Sequence, residues 1–254
     1  MNTRDPQFLY RYRHLQGEHH EWTKRILTDS VLYFASPQTF NDPFDCKVNF
    51  RPSFSVCKLK EKYIEILKDL KPHLSLSERK IIAIRDVNAH KDNFITPMTR
   101  DLQNKIDNIG VLSLSATARN VLLWSHYADG HKGLCLKFIV TSDTPFFCPA
   151  QPVKYATTYP KVDICDPIER QVDAFLLTKA IDWKYEEEWR IIDHDPGKGN
   201  KSFPEELLVE VIFGAQMEPQ NKKAVADWIR GRKKKVELSQ ASIVPGTFSI
   251  KITP

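Results

Sequence analysis

Three consecutive glutamates followed by Trp-Arg, in the segment YEEEWR at residues 185–190, form the most distinctive charged group of this sequence. If the segment is a β-strand, its two-residue period places Glu186, Glu188 and Arg190 on one face. Consecutive glutamates are poor strand formers, so a favourable interaction of their carboxylates must compensate for their position in a strand. One hypothesis is a polar cleft in which the carboxylates stabilise positive charge or move a proton. The other is a solvated edge strand with an internal Glu–Arg pair. The apolar residues that alternate with the charges favour the cleft.

Two other short segments carry polar side chains at strand spacing. In VLSLS, residues 111–115, alternation places Ser113 and Ser115 on one face and the leucines toward a core. In LYRYR, residues 9–13, Arg11 and Arg13 share one face, and the tyrosines, including Tyr10, share the other. Surface serines and an exposed basic strand are the alternative interpretations of these two segments.

Two loop segments concentrate further functional groups. FNDPFD at residues 40–45 places carboxylates in a proline-fixed turn, either as an Asx-turn scaffold or as part of a cleft. WSHYADGHKG at residues 124–133 contains two histidines five residues apart, which is poor spacing for two metal ligands on one helical face. We therefore expect no metal site and a loop that lines a substrate site, with candidate contacts Trp124, His126 and Tyr127.

The elements that must position these residues alternate irregularly between strand and helix patterns. Alternation and aromatic content predict strands at 8–13, 31–35, 110–115, 133–140, 185–192, 208–213 and 248–252. Periodicity and caps predict helices within 58–90, at 120–128, from Asp166 to about 180 and from Pro219, with Ser75 and Glu78 as a capping box. This order predicts an α+β protein, not a regular βαβ winding.

Composition limits the class of protein. The chain has 254 residues, a net charge of +5 and no apolar run long enough for a membrane span, so we expect one domain, located in the cytoplasm, with no membrane partner. Its five cysteines are scattered without a C-x-x-C pair, which argues against a disulfide framework and a zinc site. The basic run at 230–235 indicates a solvated helix end or, alternatively, a phosphate-binding patch for nucleic acid.

Five longer motifs resemble, in order, those of a bacterial domain-of-unknown-function family, number 2971. They are LYRYR, LYFASPQTFNDPFD, LSLSATARNVLLWSHYADGHKGLCLKF, WKYEEEWRI and VEVIFGA. The resemblance covers residues 8 to 215, and the predicted helical insert at 58–105 is its least typical part. The family itself implies no established activity.

A more distant resemblance implies a chemistry. An arginine, then Ser-x-Ser on a strand, then Glu-x-Glu on a later strand is similar to the Arg–Ser–Glu class of ADP-ribosyltransferases, which use a mixed, largely antiparallel split two-sheet core with helices inserted between strands. The resemblance implies that NAD binds in the cleft as a substrate and that Arg11 holds its phosphate. It also implies that Ser113 positions the nicotinamide ribose, supported by Ser115, that Glu188 is catalytic, and that Glu186 lies nearer the acceptor.

In that case Tyr10, Trp124 or Tyr127 would stack on a ring of NAD, and the acceptor would be a protein or a nucleic acid. The corresponding biological hypothesis is a toxin or phage-defence effector.

Two other classes of function remain open at this stage. A metal-dependent phosphodiesterase or nuclease would gather Mg²⁺ between Asp42, Asp45 and the two glutamates, with Lys179 or Lys184 near the phosphate. A non-catalytic module that binds or senses a nucleotide would use Glu188 and Arg190 as a buried ion pair that holds the fold.

Overall fold

The structure is a computed structural model that describes residues 6–47, 56–163, 166–195 and 197–254. Its helices are α1 (Glu18–Asp29), α2 (Val56–Leu70), α3 (Leu76–Ala89), α4 (Lys91–Asn108), α5 (Val121–Tyr127), α6 (Ile168–Leu176) and α7 (Pro219–Ile229). Its strands are β1 (Phe8–Arg13), β2 (Val31–Phe34), β3 (Gly110–Ser115), β4 (Leu134–Ile139), β5 (Gln151–Pro152), β6 (Lys154–Ala156), β7 (Thr178–Ala180), β8 (Glu188–Asp193), β9 (Gly199–Ser202), β10 (Leu208–Phe213), β11 (Glu237–Ile243) and β12 (Ile250–Thr253). The predicted α+β class is confirmed.

Local signals account for several of these boundaries. The capping box at the start of α3 is present, because the Ser75 hydroxyl accepts from the Glu78 amide and the Glu78 carboxylate accepts from the Ser75 amide. At the start of α5, the Asn120 side chain accepts from the amides of Leu122 and Leu123. These two predicted helix starts are therefore confirmed.

Two predicted elements were wrong at their boundaries. The segment that was predicted as a strand from 185 is a 3₁₀ helix at Ile181–Glu186, and β8 begins only at Glu188. Glu187, between them, has a φ of 45°, a left-handed conformation that interrupts strand alternation. The helix predicted from Asp166 to 180 ends at Leu176, and the following residues form β7.

The chain divides into two compact units. The first contains residues 1–36, 109–153 and 181–254, and it is built on an eight-stranded sheet with the strand order β12-β11-β10-β4-β1-β3-β8-β5. Neighbouring strands run antiparallel except for the parallel pair β10–β11. A short sheet of β2 and β9 belongs to the same unit.

One face of the large sheet carries the main apolar core of the first unit. Leu9 of β1, Leu112 and Leu114 of β3 and Ile191 of β8 lie in this cluster, together with Leu27 of α1. Burial of these aliphatic side chains, each worth roughly 1.5–3 kcal/mol, fixes the register of the strands. Register in turn fixes which polar residues share the opposite face.

The second unit contains residues 37–108 and 154–180. Helices α2, α3 and α4 cover most of the predicted helical insert, and β6 and β7 form a parallel pair. A salt bridge joins Lys58 of α2 to Asp163, with 3.1 Å between Nζ and Oδ2.

Within the described residues, none of the helices combines the length and the apolar composition that a bilayer crossing requires.

Candidate functional site

The strand register aligns polar side chains from three neighbouring strands of the large sheet. Ser115 of β3 lies opposite Glu188 of β8 on one side and Tyr10 of β1 on the other, and Ser113 lies opposite Arg190. Because directly paired residues project from the same face of a sheet, these five side chains share the face opposite the main apolar core. The sequence segments predicted to carry the site are therefore adjacent in space.

Glu188 and Arg190 form a buried ion pair within β8. The Arg190 Nε donates to Glu188 Oε1 at 2.8 Å, and Nη2 donates to Oε2 at 3.0 Å. The Glu188 and Arg190 residues have exposed fractions of 4% and 0%. Two parallel N–H···O bonds hold the carboxylate in one orientation and stabilise its charged form. The prediction that these two side chains share a face is confirmed.

Glu186 is also buried, but it is positioned by a different element and has a different partner. It ends the 3₁₀ helix and has an exposed fraction of 4%. Its Oε1 accepts a hydrogen bond from the Tyr127 hydroxyl at 2.8 Å. Because Glu187 is left-handed and interrupts strand alternation, Glu186 is positioned by the 3₁₀ helix and Glu188 by β8.

The Ser115 hydroxyl joins two loops. It donates to the Glu186 carbonyl at 2.7 Å and accepts from the Thr117 amide at 3.1 Å. Asn120 adds a second connection between the same loops, because its Nδ2 donates to the Tyr185 carbonyl at 2.8 Å. These bonds fix the position of the Glu186 turn relative to β3 and α5.

Arg11 lies on the other face of β1 from Tyr10, so strand alternation does not place it beside the serines. Its guanidinium nevertheless reaches β3, where Nη1 donates to the Ser113 carbonyl at 2.8 Å. Strands β1 and β3 pair at a single register position, Tyr10 with Ser115, which leaves main-chain groups of β3 available to this side chain.

The Arg11 side chain is partly buried, and its guanidinium has no carboxylate partner among the residues that the structure describes. Its Nε is buried and has no hydrogen-bond partner there. Burial, together with the nearby charge of Arg13, lowers the pKa of Arg11 to about 9. Burial also lowers the pKa of Arg13 to about 10. A cation with a buried, unpaired donor favours an anionic ligand.

The remaining predicted contacts differ in accessibility. Trp124 is fully buried, and its Nε1 donates to the Ala118 carbonyl at 2.8 Å, so the ring belongs to the second apolar cluster of the first unit. His126 is exposed, and its ring centroid lies 6.4 Å from that of Tyr185. Tyr127 and Tyr10 are partly buried, and burial raises the pKa of Tyr10.

In the second unit, the loop at 40–45 forms the predicted Asx turn, in which the Asp42 Oδ1 accepts from the Phe44 amide at 2.8 Å. Asp45 pairs there with the buried Lys179, with 3.7 Å between Oδ2 and Nζ. Across the described ranges, no group of three or more His, Cys, Asp or Glu side chains is arranged to hold a metal ion.

Sequence reasoning missed Asn120 and Lys137 as neighbours of the site. Asn120 could have been found, because a cap residue with a side-chain amide has a spare donor after it has capped the helix. Lys137 pairs in register with Tyr10, and its Nζ lies 2.8 Å from Glu210 Oε2. No local signal specifies that pairing, since it depends on which strands are neighbours.

Comparison with known families gives one match. Residues 123–191 match the family described as Protein of unknown function (DUF2971), which is less than half of the chain. The matched segment includes most of α5, all of β4, and both Glu186 and Glu188, and it supports the resemblance to this family. Searches of curated proteins and of solved structures return no match, and nothing in them supports a similarity to ADP-ribosyltransferases.

Proposed function

We propose that the face that carries Ser115, Glu188 and Arg190 binds NAD⁺ and that the protein transfers its ADP-ribosyl group to an acceptor. The observation that carries the proposal is the strand order. The arginine, Ser-x-Ser and glutamate segments occupy β1, β3 and β8, which are consecutive strands of one sheet. The arginine and serine segments are about 100 residues apart in sequence, and the serine and glutamate segments about 70. The sheet places them on neighbouring strands.

The chemistry would begin with cleavage of the bond between the ribose C1′ and the nicotinamide nitrogen. Nicotinamide leaves with the bonding electrons, and positive charge develops on the ribose. A fixed carboxylate near that carbon stabilises this state. Glu188 suits the task because Arg190 holds it in one orientation in its charged form.

Glu186 suits the second half of the reaction. An acceptor nucleophile forms a bond to C1′ and loses a proton, which a nearby carboxylate takes up. Glu186 accepts a hydrogen bond from the Tyr127 hydroxyl, whereas Glu188 accepts from the Arg190 guanidinium. Two carboxylates in different environments can divide the roles of charge stabilisation and proton acceptance.

Arg11 provides the anion-binding element of the proposal. Its side chain leaves β1 on the face opposite Tyr10 and its Nε is buried, so a phosphate oxygen of NAD⁺ would meet the end of the guanidinium where it reaches β3. Its contact with the Ser113 carbonyl directs the guanidinium toward β3. Binding an anion there would relieve the cost of a buried, unpaired charge.

A thermal melt with and without NAD⁺ tests binding. A ligand that binds only the folded state raises the midpoint by mass action. We expect NAD⁺ to raise the midpoint of the wild type, and Arg11→Met to reduce that rise. Lys223→Ala, which removes an exposed cation on α7, is the matched control and should leave the rise unchanged. No rise for the wild type would contradict the proposal.

A second candidate function is a module that binds a nucleotide without transferring any group. The observation that favours it is the geometry of Glu188, whose two oxygens both accept from Arg190. Such a carboxylate can serve as part of a structural network. This candidate predicts the same rise in midpoint with NAD⁺ but no release of nicotinamide at any enzyme concentration.

The biological proposal is that the acceptor is a protein or nucleic acid of the host cell and that the transferase acts as a toxin or phage-defence effector. Expression of the wild type and of Glu188→Gln from the same promoter would test this role. We expect slower growth with the wild type, and equal growth would contradict the role.

A further inference from the structure

The polar face of the large sheet continues beyond Tyr10 as an unbroken cross-strand row. Tyr10 lies opposite Lys137 of β4. Lys137 in turn lies opposite Glu210 of β10, and Glu210 lies opposite Glu237 of β11. With Glu188 and Ser115, six directly paired residues thus project from one face across six consecutive strands.

A cavity of about 410 Å³ lies over the Tyr10 half of that row. Its floor includes Tyr10, Lys137, Glu210 and Glu237, and one wall is the loop 116–119 that directly follows Ser115. This volume falls within the range of roughly 300–1,000 Å³ that is typical of small-molecule sites. Neighbouring strands are about 4.8 Å apart, so the Tyr10 strand lies roughly 10 Å from the Glu188 strand.

The polar groups that line the cavity differ in whether they already form an ion pair or hydrogen bond within the protein. Lys137 is engaged, because its Nζ bonds Glu210 and also lies 4.4 Å from the centroid of the Phe8 ring. Arg119 and Glu237 are both exposed, and neither forms an ion pair within the part of the chain that the structure describes. The Tyr10 hydroxyl likewise has no hydrogen-bond partner there.

These groups match the parts of a nucleoside phosphate. A half-buried tyrosine ring can stack on a base. A carboxylate such as Glu237 can accept from ribose hydroxyls or from an exocyclic amino group. A guanidinium such as Arg119 binds phosphate oxygens in pairs. The summed charge of Arg119, Lys137, Glu210 and Glu237 is zero, so the phosphate would be drawn by Arg119 and not by the cavity as a whole.

We infer that this cavity is a subsite for the adenosine monophosphate half of the dinucleotide, with Arg119 binding its phosphate and Tyr10 contacting the base. The inference rests on the proposed function for the identity of the ligand. It assigns Arg119 and Tyr10 to the binding of the same ligand. Arg119 lies in the loop that follows Ser115, on the same side of the sheet as Glu188.

Binding of AMP, measured by isothermal titration calorimetry, tests the inference without any turnover. We expect saturable AMP binding by the wild type. Arg119→Ala should weaken AMP binding by about 10- to 100-fold, since a hydrogen bond to a charged group is lost. Adenosine, which has no phosphate, should bind the wild type and Arg119→Ala alike. Because Arg119 is exposed, its replacement should leave the fold intact, which far-UV circular dichroism checks.

Three controls make the outcome decisive. Lys223→Ala should bind AMP as the wild type does. Glu237→Gln should weaken adenosine as well as AMP. Inorganic phosphate should bind more weakly than AMP, and equal binding of the two would show an anion site only and overturn the nucleoside assignment.

Different results would contradict AMP binding in this cavity and transfer of the ADP-ribosyl group. Release of nicotinamide from NAD⁺ by a protein that does not bind AMP would overturn the subsite and leave the transferase proposal intact. AMP binding that depends on Arg119, without any cleavage of NAD⁺, would support the subsite and favour the non-catalytic module.

Discussion

Replacing Glu188 by glutamine should destabilise the protein strongly. Glutamine keeps the size of the side chain but removes the negative charge that faces Arg190, a side chain with no exposed surface. Removing one partner of a buried ion pair costs about 3–5 kcal/mol, because the remaining charge stays in a poorly solvated position. At about 2–4 °C per kcal/mol for a chain of this size class, the midpoint should fall by roughly 6–20 °C.

Urea unfolding monitored by tryptophan fluorescence would measure this loss. Glu187→Gln is the matched control, because Glu187 is exposed and adjacent in sequence, and its effect should stay within about 0.5 kcal/mol. The double replacement Glu188→Met with Arg190→Met removes both charges and should recover most of the loss. A Glu188→Gln protein as stable as Glu187→Gln would refute the claim that this pair is buried and energetically coupled.

Four other predictions concern other residues of the first unit. Tyr127→Phe removes the donor to Glu186 and should lower the free energy of unfolding by about 1.5–3 kcal/mol in a urea titration, and no loss would show that this bond is not formed in solution. Asn120→Ala removes both the cap of α5 and the bond to Tyr185, so calorimetry should show a loss of about 2 kcal/mol, which Asn120→Asp, a cap without the amide donor, should recover only in part. Gly133→Ala should cost at least about 2 kcal/mol, because its new Cβ would overlap the Arg13 carbonyl oxygen, whereas Gly231→Ala, with no neighbouring atom within 4 Å, should be neutral or slightly stabilising. Arg11→Met should be as stable as the wild type or more stable near pH 7, where the wild type carries a buried charge. The pKa of Arg11 is about 9 in the folded chain, well below its value in the unfolded chain, so above pH 9 the folded wild type binds fewer protons than the unfolded chain and gains stability. The advantage of Arg11→Met should therefore shrink between pH 8 and pH 10, and a constant difference would contradict the lowered pKa.

The sequence specified the strands that carry the site better than the turns that shape it. Alternation in VLSLS predicted β3 with its observed bounds, because the leucines pack in the core while the serines project from the opposite face. The same rule failed at Glu186, because a left-handed residue at Glu187 breaks the period. Glu has no strong preference for that conformation, so the interruption could not be predicted from residue type.

Long-range pairing was also beyond the reach of the sequence. That the first strand lies between β3 and β4 depends on tertiary packing and not on a local pattern. For that reason the row from Glu188 to Glu237, and the cavity over part of it, emerged only with the register. The burial of Trp124 is a related case, because a tryptophan beside histidines in a loop-like segment resembles a ligand contact until its indole N–H is seen bonded to Ala118.

Release of nicotinamide from NAD⁺ labelled in that ring tests the central claim most directly. The assay should be run with purified wild type, Glu188→Gln and Glu187→Gln, at a temperature well below the melting midpoint of each protein. We predict that the wild type and Glu187→Gln release labelled nicotinamide and that Glu188→Gln is slower by about 10²–10³-fold, since one electrostatic contact to the transition state is lost. No release by the wild type, or equal rates for all three proteins, would contradict the assignment of Glu188 as the catalytic carboxylate.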